Sequence, residues 1–302
     1  TVIDSSLTIT DADDTNIESA TVTIFSGFQS AEDVLAFSDT SSITGSWNAS
    51  TGVLTLSGSD TLANYEAALE SVTYNNTSDD PNTDNRSISW VVNDGDTSSS
   101  AVTSTITITA VNDAPVLTTP TAGTITETPG SSDTSTSDLS GTLSASDADG
   151  DTLTYAITSV YSFLTSDGTS TQEGSYGSLA VNTTTGEYTY TPTSAAVEAL
   201  FAGANTDSFS VTASDGTATT TSSYTVNITG ADDSSVITGD VMGSGAEDTS
   251  AITGTLSATD VEGLADNTYF TVSTTPTQGT ASIDEAGGAW SYTPTANFNG
   301  SD

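Results

Sequence analysis

The chain contains no lysine, no histidine and no cysteine, and its one basic side chain is Arg86. Each absence removes chemistry. Without His or Cys there is no tetrahedral zinc site of the usual kind, no Ser-His-Asp triad and no thiolate nucleophile. Without Lys there is no Schiff base, no P-loop lysine and no Lys–Asn or Lys–Asp isopeptide crosslink. Phosphate recognition needs clustered Lys and Arg, so nucleic acid is not an expected partner, and an anionic membrane surface repels the chain. No apolar run approaches the roughly 20 residues that span a bilayer, so no membrane insertion is expected in this segment. The opening residues TVIDSSLTIT lack the basic and apolar regions of a signal peptide. They read as part of something larger. Zero cysteines fits large bacterial exported proteins better than disulfide-stapled secreted modules.

What the 302 residues do contain is acid: 40 Asp and Glu, for a formal net charge of −39. Charged residues are only 14% of the chain, so the polar surface is built mainly from Ser, Thr and Asn. Carboxylates packed into a compact body repel one another. Divalent cations are the natural neutralising agent, and salt screening is the alternative.

Alternation with a period of two dominates the pattern, as in SATVTI (19–24), GVLTL (52–56), SISWVV (87–92), TSTITI (103–108), LTYAI (153–157), SFSV (208–211) and YTVNI (224–228). Half-buried strands need this pattern and this supply of Thr, Val, Ile and Tyr. Asp, Gly, Asn and Ser clusters between the runs supply turns. Only LANYEAAL (62–69) and AAVEALF (195–201) read as helix, each short enough to be a connector.

Internal repetition sets the organisation. Asp94-Gly95 opens a stretch running to AVNDAPV, and Asp215-Gly216 opens a matching one running to GADDSSV. LSGTLSASDADGDTLTY (139–155) realigns with ITGTLSATDVEGLADNTY (252–269), and GSLAVNTTTGEYTYTPT (177–193) with GTASIDEAGGAWSYTPT (279–295). Three modules are therefore expected, at 1–113, 114–233 and 234–302. The third stops where the second continues through Asp207-SFSV, so it is expected to lack about two strands. The fold class is all-β: tandem immunoglobulin-like β-sandwich modules in an elongated array. Trp47, Trp90 and Trp290 sit in strand contexts and read as core or rim anchors, with a sugar-stacking platform as the alternative.

The middle module resembles the VCBS repeats of large bacterial surface proteins through LSGTLSASDADGDTLTY, GSLAVNTTTGEYTYTPT, DSFSVTASDG and YTVNITGADD. AVNDAPV (110–116) resembles the boundary segment of cadherin-like and VCBS arrays in RTX-type adhesins. LTITDADDTNIESATVTI and the strands after it resemble another module of such proteins. EDTSAITGTLSATD with YTPTANFNGSD resembles a cadherin-like relative. The resemblance spans nearly the whole chain and implies β-sandwiches, calcium at or near module junctions, and an adhesin extender on the bacterial cell surface. One departure stands out. The second junction, GADDSSV, lacks the proline of NDAPV, which predicts a more flexible linker there.

Asp147-Ala148-Asp149-Gly150-Asp151 is the sharpest motif: three carboxylates at alternate positions, with a glycine for the tight turn, suit one hard cation. Calcium takes 6–8 oxygen ligands and tolerates irregular geometry. The loop is not an EF-hand, because its sixth position is Thr152 and its twelfth Thr158. Asn112, Asp113 and Glu127 are expected to complete the site, with Asp215 as a further candidate. The corresponding set in the third module is Asp232, Asp233, Glu247, Asp248, Asp260 and Glu262. In the first module it is Asp11, Asp13 and Asp14 with Asp94 and Asp96. In each case the competing reading is a solvated Asp-rich turn.

The expected function is a non-catalytic stalk segment, stiffened by Ca²⁺, whose partners are neighbouring modules of the same long chain. Two other classes stay open: a self-assembling extracellular filament or sheath in which copies exchange strands, and a carbohydrate- or surface-binding module. Glycoside hydrolysis needs paired carboxylates in a cleft, and no aromatic cleft signature surrounds any pair here.

Overall fold

The structure, a computed structural model, describes residues 1–130, 137–159, 162–246, 248, 250–264 and 267–302. It is all-β, with two short helices among the described residues. The chain divides into two compact units: Thr1–Pro115 together with Ser146–Thr152, and Val116–Ala145 together with Leu153–Asp302.

In the first unit the alternation in Asn16–Ser26 puts Ile17, Ala20, Val22 and Ile24 into the core. This strand is the centre of a five-stranded antiparallel sheet in the order Thr44–Asn48, Val53–Thr61, Asn16–Ser26, Arg86–Asn93, Val102–Ile106. Leu54, Leu56, Ile88 and Trp90 from its neighbours face the same core. Burying a side chain of this size contributes about 1.5–3 kcal/mol. Helix Leu62–Glu70 follows directly from a strand and is capped by Thr61, whose Oγ1 accepts from Asn64 N at 3.3 Å. It buries Tyr65, Ala68 and Leu69.

The one base of the chain is the largest fully buried side chain. Arg86 Nε donates to both carboxylate oxygens of Asp33, at 3.0 and 2.8 Å, and Asp33 also accepts from Tyr74 Oη and Gln29 N. The Nη groups reach Asn82 O and Glu32 Oε2. A buried charge is tolerated when paired and hydrogen-bonded in this way.

In the second unit, a four-stranded sheet (Thr154–Ile157, Gly203–Ser214, Thr219–Gly230, Gly123–Thr126) accompanies a five-stranded one (Leu139–Thr142, Glu187–Pro192, Gly177–Asn182, Thr169–Glu173, Phe163–Leu164). All pairings are antiparallel except Gly123–Thr126 with the 219–230 strand, which is parallel. Leu179, Val181 and Tyr190 from the second sheet share a core with Phe209, Val211, Val226 and Ile228 from the first. Tyr190 is sealed at the centre. Burial, and then the Asp207 carboxylate that its Oη meets at 2.7 Å, push the phenol far above its ordinary range. Helix Ser194–Glu198 is shorter than the 195–201 expectation and connects two strands.

The same unit continues into a four-stranded sheet in the order Val236–Gly239, Ile252–Thr259, Ala289–Pro294, Gly279–Ile283. Among the described residues beyond 235, Phe270 is the only buried apolar side chain. The linker before this sheet, expected to be loose for want of a proline, is tied to the preceding sandwich. Ala231 N donates to Glu127 Oε2 at 2.7 Å, and Gly130 N donates to the Asp233 carboxylate.

Candidate metal centres

Two groups of carboxylates converge, each with ligand oxygens all within 4.8 Å of one another: Asp147, Asp149 and Asp151, and Glu127, Asp233 and Glu262. Both are built by the same device. In the first, Asp147 Oδ1 accepts from Asp149 N at 3.0 Å, which curls the loop, and Asp149 Oδ2 accepts from Asp113 N at 2.6 Å, which ties the loop to the linker. In the second, Asp260 Oδ1 accepts from Glu262 N at 3.2 Å and Glu262 Oε1 accepts from Asp233 N at 3.2 Å. Asp260 and Glu262 thus repeat Asp147 and Asp149, and Asp233 repeats Asp113. Gly150 turns the first loop at φ +77°, a conformation that side-chain-bearing residues rarely adopt.

What remains after these bonds is acceptor capacity without donors. Asp147 Oδ2, Glu127 Oε1 and Glu262 Oε2 are buried atoms with no hydrogen-bond partner. Glu127 is only 3% exposed. Burial, then the charges of Glu198 and Asp233, hold its carboxyl above the usual range. Glu262 is also raised, by burial first and then by its contacts with Asp260 and Asp233. Buried oxygens that repel each other and have no donor are costly unless a cation joins them. The all-oxygen donor set suits a hard ion such as calcium rather than zinc or copper.

The Glu127 group takes its acids from two separately matched stretches. Residues 112–230 match the bacterial cadherin-like domain. Residues 232–302 match a bacterial Ig domain. A curated relative, halomucin from Haloquadratum walsbyi, is 46% identical over 78 residues, which is 24% of this chain and 1% of that protein. The chain therefore spans a very small part of that relative's length. Solved structures with similarity include the PcdhgB3 EC1-4 fragment (12% identity, 88% of this chain and 59% of that one, TM-score 0.34). Another is an endo-fucoidan hydrolase of glycoside hydrolase family 107 (19% identity, 87% of this chain and 34% of that one, TM-score 0.25).

Asp147, Asp149 and Asp151 come together, with Asp113 bonded to them through its amide; Asn112 Nδ2 donates to Asp113 O at 2.8 Å. Glu127, expected with this first group, instead joins Asp233 and Glu262. The reason is topological: Glu127 follows the Gly123–Thr126 strand, which lies beside the end of the 219–230 strand that leads into the second linker. Asp215 caps its own turn, accepting from Thr217 N and Ala218 N at 2.6 Å each. Asp232 is exposed. Asp248 accepts from Asn297 N, away from the Glu127 group's bonds, and Glu247 lies outside the described residues.

In the first unit Asp11 accepts from Asp13 N and Asp14 N, and Asp94 accepts from Asp96 N and Thr97 N. Asp11 and Asp94 line one shallow cleft, and the Asp14 carboxyl is raised by desolvation and then by the charges of Asp11, Asp13, Asp94 and Asp96. They do not form one of the convergent groups found among the described residues. Glu198 was not anticipated. It is buried in helix Ser194–Glu198 and close enough to raise Glu127. Its signal in the sequence was a lone acid inside the otherwise apolar AAVEALF.

Proposed function

We propose that this chain is a non-catalytic extender segment of a large extracellular bacterial adhesin of the VCBS/RTX kind, stiffened by calcium held near the module junctions. The observation that carries the reading is the Glu127–Asp233–Glu262 convergence. It gathers acids from three separate stretches of chain, one in the sandwich, one in the linker and one in the loop after the Ile252–Thr259 strand. A cation there crosslinks the sandwich to the sheet within one compact unit. Without it the same acids push those parts apart. The Asp147 group does the corresponding work between the 146–152 loop and the 112–115 linker segment.

The cadherin-like and Ig-like matches support a structural module. Extracellular calcium modules bind with Kd on the order of 10⁻⁴–10⁻³ M, so sites of this type fill outside cells, which supports a surface location. The test is small-angle scattering in calcium and in EGTA, paired with calorimetric titration of the metal-free chain. The reading expects at least two bound ions and a broader distance distribution after chelation. A scattering profile unchanged by chelation, together with no saturable heat of calcium binding, removes it.

A further inference from the structure

The sequence Asp-Gly occurs four times in the chain, at 94–95, 149–150, 167–168 and 215–216. It is prone to aspartyl isomerisation, because glycine puts no side chain in the way of its own nitrogen. The glycine nitrogen bonds to the aspartyl Cγ, and one carboxylate oxygen leaves as water with the amide proton and a proton from solvent. The product is a cyclic succinimide. Water then reopens the ring at either carbonyl, and opening at the main-chain carbonyl leaves isoaspartate, whose backbone runs through the side-chain carbons. The step needs a glycine N–H that is not already spent in a hydrogen bond, and a carboxyl group free to turn toward it.

Three of the four bonds are guarded on both counts. Gly95 N donates to Asn93 Oδ1 at 2.9 Å, Gly168 N to Thr165 O at 3.1 Å and Gly216 N to Ser214 Oγ at 3.2 Å. Each carboxylate is also folded onto its own turn. Asp94 Oδ1 accepts from Asp96 N and Thr97 N, Asp215 Oδ1 from Thr217 N and Ala218 N, and Asp167 Oδ1 from Thr165 Oγ1 and Thr169 N. Asp149–Gly150 has neither guard. The amides of Asp149 and Asp151 both donate to Asp147 Oδ1, whereas that of Gly150 between them finds no acceptor among the described residues. The Asp149 carboxylate is held from across the chain, by Asp113 N on Oδ2 at 2.6 Å. That donor stands on an oxygen where negative charge gathers as the nitrogen attacks. A Cβ on Gly150 would meet nothing within 4 Å, so the ring has room. Closing it also removes one of the three charges crowded within 4.8 Å in this loop.

We propose that Asp149–Gly150 is the site of aspartyl isomerisation in the folded, metal-free chain. The modification lengthens the main chain by one carbon at Asp149 and shortens its side chain by one. Asp147, Asp149 and Asp151 then no longer stand at alternate positions of one tight turn, and the bond from Asp113 N is lost with the old geometry. A further consequence rests on the calcium reading given above: a carboxylate that ligates an ion is held away from the Gly150 nitrogen, so the bound ion protects the loop and isoaspartate records time spent without it.

The test ages the intact chain in warm neutral buffer with EGTA, and in parallel in concentrated urea. Chymotryptic peptides are then mapped by electron-transfer fragmentation, which separates aspartate from isoaspartate bond by bond and keeps these bonds apart from Asn299–Gly300. In the folded chain, isoaspartate is expected to build up at 149–150 about 2–10-fold faster than at the other three bonds, each of which must first break an amide hydrogen bond. In urea the four rates are expected to converge. A folded chain in which any other Asp-Gly bond keeps pace with 149–150, or a lead at 149–150 that persists unchanged in urea, overturns the proposal. A third arm ages the folded chain in millimolar calcium, where 149–150 is expected to slow to the rate of the others. If it does not slow while the lead in EGTA stands, the calcium reading fails at this loop and the isomerisation site remains.

Discussion

Replacing Glu127 with glutamine separates two contributions that the native side chain makes with opposite sign. In the metal-free chain its carboxylate is buried beside Asp233 and Glu262, with ligand oxygens within 4.8 Å. Coulomb's law at an effective dielectric near 20 gives about 3 kcal/mol for an ionised pair at that spacing, and proton uptake and screening leave about 1–2 kcal/mol. Glutamine removes that repulsion, fills the same space, and still offers an oxygen to Ala231 N. With calcium the sign reverses. At 10 mM ion and a Kd of about 10⁻⁴–10⁻³ M, the native site gains about 1.4–2.7 kcal/mol, most of which the variant forfeits. For a unit of this size each kcal/mol moves the midpoint by about 2–4 °C. In EGTA, Glu127→Gln is therefore expected to melt about 2–8 °C above the native chain. In calcium the native chain rises by about 3–11 °C and the variant hardly moves. Differential scanning calorimetry of the second unit's transition reads both. A variant that melts below the native chain in EGTA, or gains as much from calcium, refutes the reasoning.

Arg86→Met leaves Asp33 buried without its main counter-charge and is expected to cost about 3–5 kcal/mol in the first unit alone. Arg86→Lys should recover little, because one ammonium cannot stand at Asp33 and also reach Asn82 O and Glu32, which the separate guanidinium nitrogens do; urea titration of each variant checks both. Gly177→Ala sets a methyl 2.5 Å from the Tyr190 ring and 2.6 Å from Thr191 O, so a loss of about 1–3 kcal/mol is expected in the second unit's thermal transition. The pH dependence follows from Glu127 and Glu262, whose carboxyls are raised in the folded state. The folded chain takes up protons there before the unfolded chain does, so metal-free stability is lower at neutral pH and rises as pH falls toward the carboxylate range. Protons compete with calcium, so calcium-loaded stability falls over the same window. Parallel pH slopes with and without calcium would contradict this assignment.

Most of the fold was legible because alternation is a local signal. SATVTI lies within Asn16–Ser26, SISWVV within Arg86–Asn93 and YTVNI within Thr219–Gly230. The Asp147–Asp149–Asp151 convergence was legible for the same reason, since its spacing is contained in five residues. Glu127 was misplaced because its company depends on the parallel pairing of Gly123–Thr126 with a strand about a hundred positions later, which no local pattern reveals. Glu198 stayed hidden because a single acid in a short helix carries no spacing. The enclosure of Arg86 escaped as well. Its partner Asp33, and the Tyr74 that donates to Asp33, belong to a small two-stranded ribbon, and nothing near Arg86 in the sequence announces that ribbon.

The sealed arginine has a consequence for durability. With no lysine or histidine in the chain and Arg86 0% exposed, no side chain presents a positive charge to solvent. Endoproteases that select a basic residue with an acid in the specificity pocket have one scissile bond to find, Arg86–Ser87. That bond sits in a strand flanked on both sides within the sheet. Such enzymes must wait for the first unit to open, so the rate at which they cut the chain measures how often that unit unfolds.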